Sequence, residues 1–386
     1  MVRKVKLKDV VMRVKDKIDK DTTDLEFYVG GEHIDSGEIS ITKKGRIEGS
    51  TIGPAFHMHF MPGDVLLMSR NPHLKKAGVV DFEGICSDVS YICRTKDENV
   101  LSQQYLPFIF QTDHFWQFVE ENKKGGLPFF LNWSDFEKYE FMLPDIDKQN
   151  EMVNILWAAQ NTKLAYIELL KQTDELVKSQ FIEMFGDPVE NPRGWLTKGL
   201  IELGSCKNGM NFGAKDAGVT IKSVGVGDIK DYDNIEDVES LTTLSLNEMP
   251  SEEYMLKDGD LVFVRSNGNK ELVGRCVAVY PHETPITFSG FCIRFRKESN
   301  DVLLDYLLRY LKMPEVRAKM AGRGANIQNL NQKILAALQV PVPPLETQMA
   351  YVAFVKQSDK SKFEIKKSIE NISELIKSLM QQDFTN

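Results

Sequence analysis

The longest unbroken pattern in the chain runs from about Asp147 to Phe185, with no Gly or Pro inside it. Ile155, Ala159, Thr162, Tyr166, Leu169, Thr173 and Leu176 recur at alternating spacings of four and three, and Leu156, Leu170, Val177 and Phe181 widen the stripe. This spacing predicts a long helix with one face against a partner. Pro144 precedes it with Asp145 and Asp147 as capping residues, and Gly186-Asp187-Pro188 stops it. About 39 residues at ~1.5 Å each make a rod of roughly 58 Å, which is spacer length rather than an ordinary globular helix. A second Gly- and Pro-free stretch runs from Glu346 to about Gln382, where Ile365, Ile369, Ile372, Ile376 and Leu379 repeat the four-three spacing.

Before each rod the pattern shortens to strands and turns. In residues 1–145, Leu25–Gly30, Glu38–Thr42, Val65–Met68, Val79–Phe82 and Asp88–Cys93 read as strands, and Gln103–Glu121 reads as a helix. Residues 196 to about 343 form a second body of the same kind, entered through the turn-rich link from Phe185 to Trp195. The two halves resemble each other at an offset of about 195–199 residues. Pro62-Gly63-Asp64-Val65-Leu66 faces Asp258-Gly259-Asp260-Leu261-Val262, and Ser69-Arg70-Asn71 faces Arg265-Ser266-Asn267. Val29-Gly30-Gly31-Glu32-His33-Ile34 faces Val224-Gly225-Val226-Gly227-Asp228-Ile229; Leu131-Asn132-Trp133 faces Gln328-Asn329-Leu330; and Pro144 and Gln149 face Pro343 and Gln348. A common order and offset implies a tandem body–rod–body–rod chain.

At 386 residues, two or three domains are expected, and the 42% hydrophobic share is ordinary for a globular protein. Five cysteines without a CxxC pair fit reduced thiols, the charged N-terminus lacks a signal-peptide apolar region, and no run is long enough to span a membrane, so a cytoplasmic protein is expected. The net charge of −8 argues against a uniformly basic nucleic-acid surface but leaves room for local basic grooves.

Catalytic signatures are weak. There is no GxxxxGK[ST] loop, and Val224-Gly225-Val226-Gly227 lacks the third glycine of a dinucleotide fingerprint. Asn71-Pro72-His73-Leu74 lacks the second proline and the aromatic of an amino-methyltransferase motif, and His57-Met58-His59 has no nearby residue to complete a metal set. Loops leaving buried strands carry a different chemistry, one suited to nucleic acid. Arg and Asn bond base edges bidentately, while Lys and Ser suit phosphates. The candidates in the first body are Lys43, Lys44, Arg46, Ser69, Arg70, Asn71, Lys75, Lys76, Lys123 and Lys124. In the second they are Lys207, Asn208, Asn211, Arg265, Ser266, Asn267, Asn269, Lys270, Arg323, Asn326, Gln328 and Asn329. On the residues alone, a non-DNA scaffold with two protein-binding heads, or an enzyme with an unrecognised nuclease site, stays open.

The motif set adds to this. Phe185-Gly186-Asp187-Pro188 through Asn191-Pro192-Arg193-Gly194-Trp195, then Gly227-Asp228-Ile229, Gly259-Asp260-Leu261, and Pro343-Pro344-Leu345-Glu346 with Gln348, occur in that order. In this the chain resembles the specificity (S) subunit of type I restriction–modification systems; the first body keeps only part of the pattern, at Tyr28 to Ile34. The resemblance implies an α+β fold of two tandem, pseudo-twofold related α/β target-recognition domains separated by two long antiparallel coiled-coil helices. The expected parts are 1–145 and 187–344 for recognition, 146–186 and 345–386 for the helices. It further implies a chain without catalysis or cofactor of its own, which reads a bipartite double-stranded DNA site. Two modification (methyltransferase) subunits would bring S-adenosylmethionine, and restriction (motor and nuclease) subunits would bring ATP and magnesium. If the rods set the gap between half-sites, one extra helical turn adds ~5.4 Å, or roughly one and a half base pairs, and four residues inserted into both should lengthen it. Methylation mapping should then show a longer unspecified spacer between unaltered half-sites; an unchanged spacer would remove the rods from that role.

Overall fold

The computed structural model describes residues 2–213, 218–229, 233–321 and 329–384. The chain divides into two compact units, residues 1–168 with 365–386, and residues 169–364. In the first unit the strands are β1 (Arg3–Lys6), β2 (Val11–Val14), β3 (Phe27–Val29), β4 (Ser40–Ile41), β5 (Gly45–Arg46), β6 (Phe56–Phe60), β7 (Val65–Met68), β8 (Ala77–Val80), β9 (Gly84–Ser87), β10 (Ser90–Thr95) and β11 (Glu140–Leu143). They form sheets ordered β2-β10-β7-β8-β4, β5-β3-β9-β6 and β1-β11. The second unit has β12 (Thr197–Gly199), β13 (Gly204–Asn208), β14 (Val219–Val224), β15 (Asn234–Ile235), β16 (Thr242–Leu246), β17 (Asp260–Val264), β18 (Cys276–Val279), β19 (Ile286–Phe288), β20 (Cys292–Lys297) and β21 (Gln339–Pro341). Their orders are β13-β20-β17-β18-β15, β16-β14-β19 and β12-β21. The two units thus share a five-stranded sheet of one topology. The parallel pairs recur as well, β4 with β8 and β15 with β18, β3 with β9 and β14 with β19.

Each central strand is apolar throughout because both faces are covered. Val65 and Leu67 join one core while Leu66 joins another; likewise Leu261 and Phe263 face one core, Val262 and Val264 the other. The period-two side-chain alternation of a strand makes this division. At the entrance to each central strand a buried aspartate receives a bidentate arginine. Arg94 Nε and Nη2 donate to Asp64 at 2.7 and 2.8 Å, and Arg296 Nε and Nη2 donate to Asp260 at 2.8 and 2.6 Å.

The long helices span Ile146–Phe185 and Leu345–Phe384. Asp145 accepts from Lys148 N at 3.2 Å, and Gly186, at φ 82°, closes the first of them. In the first unit Met152, Val153 and Leu156 share a core with Ile376 and Met380; in the second, Val177, Phe181 and Phe185 share one with Tyr351, Val352 and Val355. In each unit the start of one long helix therefore lies with the end of the other. The predicted stripe of the first helix needs a correction. Ile155, Leu169 and Leu176 are exposed, whereas Gln149, Val153, Leu156, Gln160 and Val177 are buried. The seam sits about one residue round the helix from the expected one, because Gln160 is buried in it and breaks its apolar reading.

Two further expectations shift. The helix expected over Gln103–Glu121 is two helices, Leu106–Ile109 and Asp113–Asn122. Thr112 divides them: its Oγ1 donates to Ile109 O at 2.9 Å and accepts from Phe115 N at 3.2 Å, capping the second. The pairing of Leu131 with Gln328 also moves, since Leu131 N donates to Ser69 O and Leu330 N to Arg265 O, which aligns Leu131 with Leu330.

One buried glutamine ties each long helix to its body. Gln149 Nε2 donates to Val100 O and Pro144 O at 2.9 and 2.8 Å and its Oε1 accepts from Ser102 N at 3.0 Å. Gln348 Nε2 donates to Asp301 O and Pro343 O at 2.9 and 2.8 Å and its Oε1 accepts from Leu303 N at 2.8 Å. Gln149→Leu or Gln348→Leu leaves three backbone groups without this partner and should cost about 2–4 kcal/mol. Urea unfolding measures this; midpoints equal to that of the unaltered chain would exclude the tie.

Candidate nucleic-acid interface

In the second unit three loops converge. β13 ends at Asn208, and Gly209 N donates to Cys292 O at 3.1 Å. The loop after β17 begins at Arg265, whose N donates to Phe291 O at 2.8 Å and whose Nη1 donates to Gly290 O at 3.2 Å. A Cβ on Gly290 would sit 2.0 Å from Asn211 Oδ1, so a larger residue there would push the Asn211 carboxamide aside. Leu330 N donates to Arg265 O at 2.9 Å and brings exposed Asn329 to the same edge. Asn208, Asn211, Arg265, Ser266, Asn267 and Asn329 are therefore assembled in one place. The Oδ1 of Asn208 is buried with no hydrogen-bond partner among the described residues. Asn269 has a local role, accepting from Glu271 N at 3.0 Å, and Lys270 is exposed beside it. Arg323, Asn326 and Gln328 lie outside the described residues.

Lys207 is engaged, 2.6 Å from Glu253 and 4.6 Å over the Tyr254 ring. The Glu253 carboxylate bonded to it raises its ammonium above the ordinary lysine range. Such a pair is solvent-facing and exchanges one carboxylate for another anion at small cost.

The first unit builds a related surface from two loops. Asn71 N donates to Phe129 O at 2.8 Å, Lys124 and Phe130 exchange backbone bonds at 2.7 and 2.9 Å, and Arg70 forms a bridge with Phe130. The Arg70 guanidinium lies 5.4 Å over the Phe130 ring and the Lys123 ammonium 4.5 Å over that of Phe129. Asn71, at φ 51°, has a buried Oδ1 with no partner among the described residues. Arg70, Asn71, Lys123 and Lys124 are thus brought together with two aromatics that the basic loops did not reveal. The signal for them was Phe129-Phe130, two residues after the Gly125-Gly126 loop. Lys124 pairs with Asp135 at 2.5 Å; bonds from Lys124 and Lys138 lower that carboxyl to about 2. This pair is complete at neutral pH and is lost only as pH falls toward that value.

The remaining candidates stand apart from this surface. Ser69 is buried, its hydroxyl donating to Val89 O at 2.6 Å. Lys75 is exposed, and the Lys76 ammonium donates to Gly31 O. Lys43 pairs with Asp35 at 2.8 Å, Lys44 lies 3.8 Å over Phe27, and Arg46 pairs with Glu26 at 2.5 Å, all near the edge strand β5 of the four-stranded sheet.

No group of three metal-ligating side chains is present among the described residues. His59 is bonded to Glu83 at 2.8 Å and His57 to Pro54 O at 3.1 Å. Burial pushes the thiols of Cys86, Cys276 and Cys292 up to about 12 and that of Cys206 to about 11, far from a reactive thiolate. No helix among the described residues is long and apolar enough to cross a membrane.

Comparison with known proteins finds a likeness in sequence and in fold. Residues 211–374 match the family model described as the type I restriction modification DNA specificity domain. Over 136 residues the chain is 31% identical to a protein of Methanocaldococcus jannaschii provisionally named type I restriction enzyme MjaX specificity subunit, covering 34% of this chain and 32% of that one. Over 315 residues it is 22% identical to the type I restriction enzyme StySPI specificity subunit of Salmonella potsdam, covering 77% of this chain and 67% of that one. The family match lies in residues 211–374 of this chain. The chain's match with the M. jannaschii protein spans about a third of that protein's length. The fold agrees over nearly the whole chain with the S subunit of a type I restriction-modification system from M. genitalium, at TM-score 0.55 and 14% identity, covering 100% of this chain and 96% of that one. It agrees equally with a chain from a structural study of the assembly and conformational transition of the type I R-M system, at TM-score 0.57 and 18% identity, covering 99% and 97%.

The family's motif residues in the link are structural here. Asn191, at φ 47°, accepts from Trp195 N at 3.0 Å and donates to Trp195 O at 2.7 Å, and Trp195 Nε1 donates to Phe185 O at 3.1 Å. Discrimination is expected from the loops instead. Arg265→Ala should relax one base position by about 1–3 kcal/mol, whereas Lys207→Ala should weaken all duplexes evenly and reduce the salt slope by about one. Binding measured across single-substituted duplexes and salt concentrations tests both; unaltered affinity and slope in the two variants would empty this site.

Proposed function

We propose that this chain is the DNA-reading, non-catalytic component of a type I restriction–modification complex. Each unit presents one recognition face, and the two faces read the two halves of a bipartite duplex target. The observation that carries this reading is the convergence, at equivalent places after β7 and β17, of an arginine, an asparagine and a neighbouring polar loop on a rigid sheet. Loops leaving a stiff scaffold are where contacts of this kind are built. Arg265 and Asn267, with Arg70 and Asn71, are of the residue types that bond base edges, and the flanking lysines suit phosphates.

In the same reading the long helices receive two modification subunits, which supply S-adenosylmethionine and methylate adenines. Restriction subunits supply ATP, magnesium and cleavage. This chain contributes binding and position, with double-stranded DNA as its ligand and the cytoplasm as its place of action.

A specific observation favours a second reading. Lys43, Arg46, Lys124 and Lys207 are each paired with a carboxylate of this chain, as surfaces that meet other proteins often are. One experiment separates the two. The chain co-purified with its modification subunits should bind duplex with an affinity that falls steeply with salt, and mapping of modified adenines should return a two-part motif. Salt-independent duplex binding, or modification without a two-part motif, would favour protein-binding heads.

A further inference from the structure

The turn between β19 and β20 carries Phe291, whose side chain is 60% exposed. Single apolar side chains on a surface need no explanation of their own. This one differs in how firmly its backbone is held. The Phe291 carbonyl accepts from Arg265 N at 2.8 Å and from Ser266 N at 3.3 Å. Its own N–H donates to Ser289 Oγ at 3.3 Å, and Cys292 N donates to Ser289 O at 2.8 Å. Ser289 N is bonded in turn to Val224 O at 2.9 Å, and the Arg265 guanidinium holds Gly290 O. The aromatic ring thus projects from a turn fastened to the polar loops on either side. Such a ring gives up little conformational freedom on contact.

The first unit reaches the same chemistry by another route. Ser69 N donates to Val89 O at 2.9 Å, matching Arg265 N to Phe291 O, so Val89 stands where Phe291 stands. The aromatic comes from the neighbouring loop instead, as Phe130, 37% exposed and lying against Arg70. Two units that differ in loop sequence each place one exposed phenyl ring beside the first arginine of the face.

We propose that Phe291 is an apolar wedge that enters a base-pair step within the half-site read by the second unit. It makes that unit sensitive to how readily the step unstacks. The proposal rests on the duplex-reading function above and adds a recognition mode to it. A phenyl ring has no hydrogen-bonding group with which to read a base edge, but it can replace one base of a stack. The cost of unstacking is lowest at pyrimidine–purine steps, so the ring selects by deformability where Arg265 and Asn267 select by hydrogen bonds.

The test uses the full chain with its modification subunits and the mapped target duplex, with 2-aminopurine placed at successive positions of the half-site. The unaltered complex should raise the probe's fluorescence several-fold at one step. Phe291→Ala should abolish that rise and weaken target binding about tenfold, with affinity for unrelated duplex and the unfolding midpoint unchanged. Target binding by the unaltered complex with no fluorescence rise at any position, or a Phe291→Ala variant that keeps both rise and affinity, overturns the wedge alone. Failure of the unaltered complex to bind duplex overturns the DNA-reading function and the wedge with it.

Discussion

A carboxamide buried in the first turn of a helix fastens each body of this protein to its spacer. Gln149 and Gln348 are fully buried, and each bonds the carbonyl five residues before it and two backbone groups of the body. A side chain with one acceptor and two donors fits three backbone partners at once, and no apolar residue could satisfy them. Everything outward of this junction inherits its geometry. A long helix moves its far end greatly for a small change at its root, and the buried carboxamide fixes that root in each unit. Further along, Lys163 pairs with Glu38 at 2.9 Å, and Lys362 lies 3.9 Å from Asp233. Burial alone would raise the Asp233 carboxyl; the Arg309, Lys312 and Lys362 charges around it outweigh that and hold it below the usual range. A cation from the middle of a long helix thus meets an acid just before the outermost strand of the five-stranded sheet in both units.

The loop faces follow a different rule. Their sheets are built from apolar strands covered on both sides, which leaves the strand-ending loops as the place where polar side chains can gather. The loops touch through backbone bonds, and a glycine at position 290 allows an asparagine to come against the turn. The side chains that result are partly free and partly paired with acids. This fits a net charge of −8: Lys43, Arg46 and Lys207 are each held by an exposed carboxylate of this chain, in pairs that cost little to exchange.

Much of this was legible in the chain. The two rods announced themselves through length without Gly or Pro, and the duplication through short motifs at one offset. Asp64 and Asp260, and Gln149 and Gln348, stand at matching positions of the two halves, because a buried polar residue tolerates few replacements. Other features were not legible. His33 takes the place of Asp228: its Nδ1 accepts from Gly30 N at 2.9 Å, as Asp228 Oδ2 accepts from Gly225 N at 2.8 Å. An imidazole and a carboxylate share an acceptor but no sequence signature. The seam of the first helix was misplaced because Gln160 is buried in it, and a polarity pattern assigns glutamine to water.

By itself the sequence determined the element types, the repeat and the loops rich in Arg, Asn and Lys, since periodicity and local turn chemistry depend only on neighbours along the chain. Tertiary structure decided which loops meet. It turned Ser69 inward, brought Phe129 and Phe130 against Arg70 and Lys123, and set Phe291 at the edge of Arg265. Those contacts join residues tens of positions apart through backbone bonds of β7, β17 and β20, and a backbone bond leaves no mark on the identity of the residues that make it.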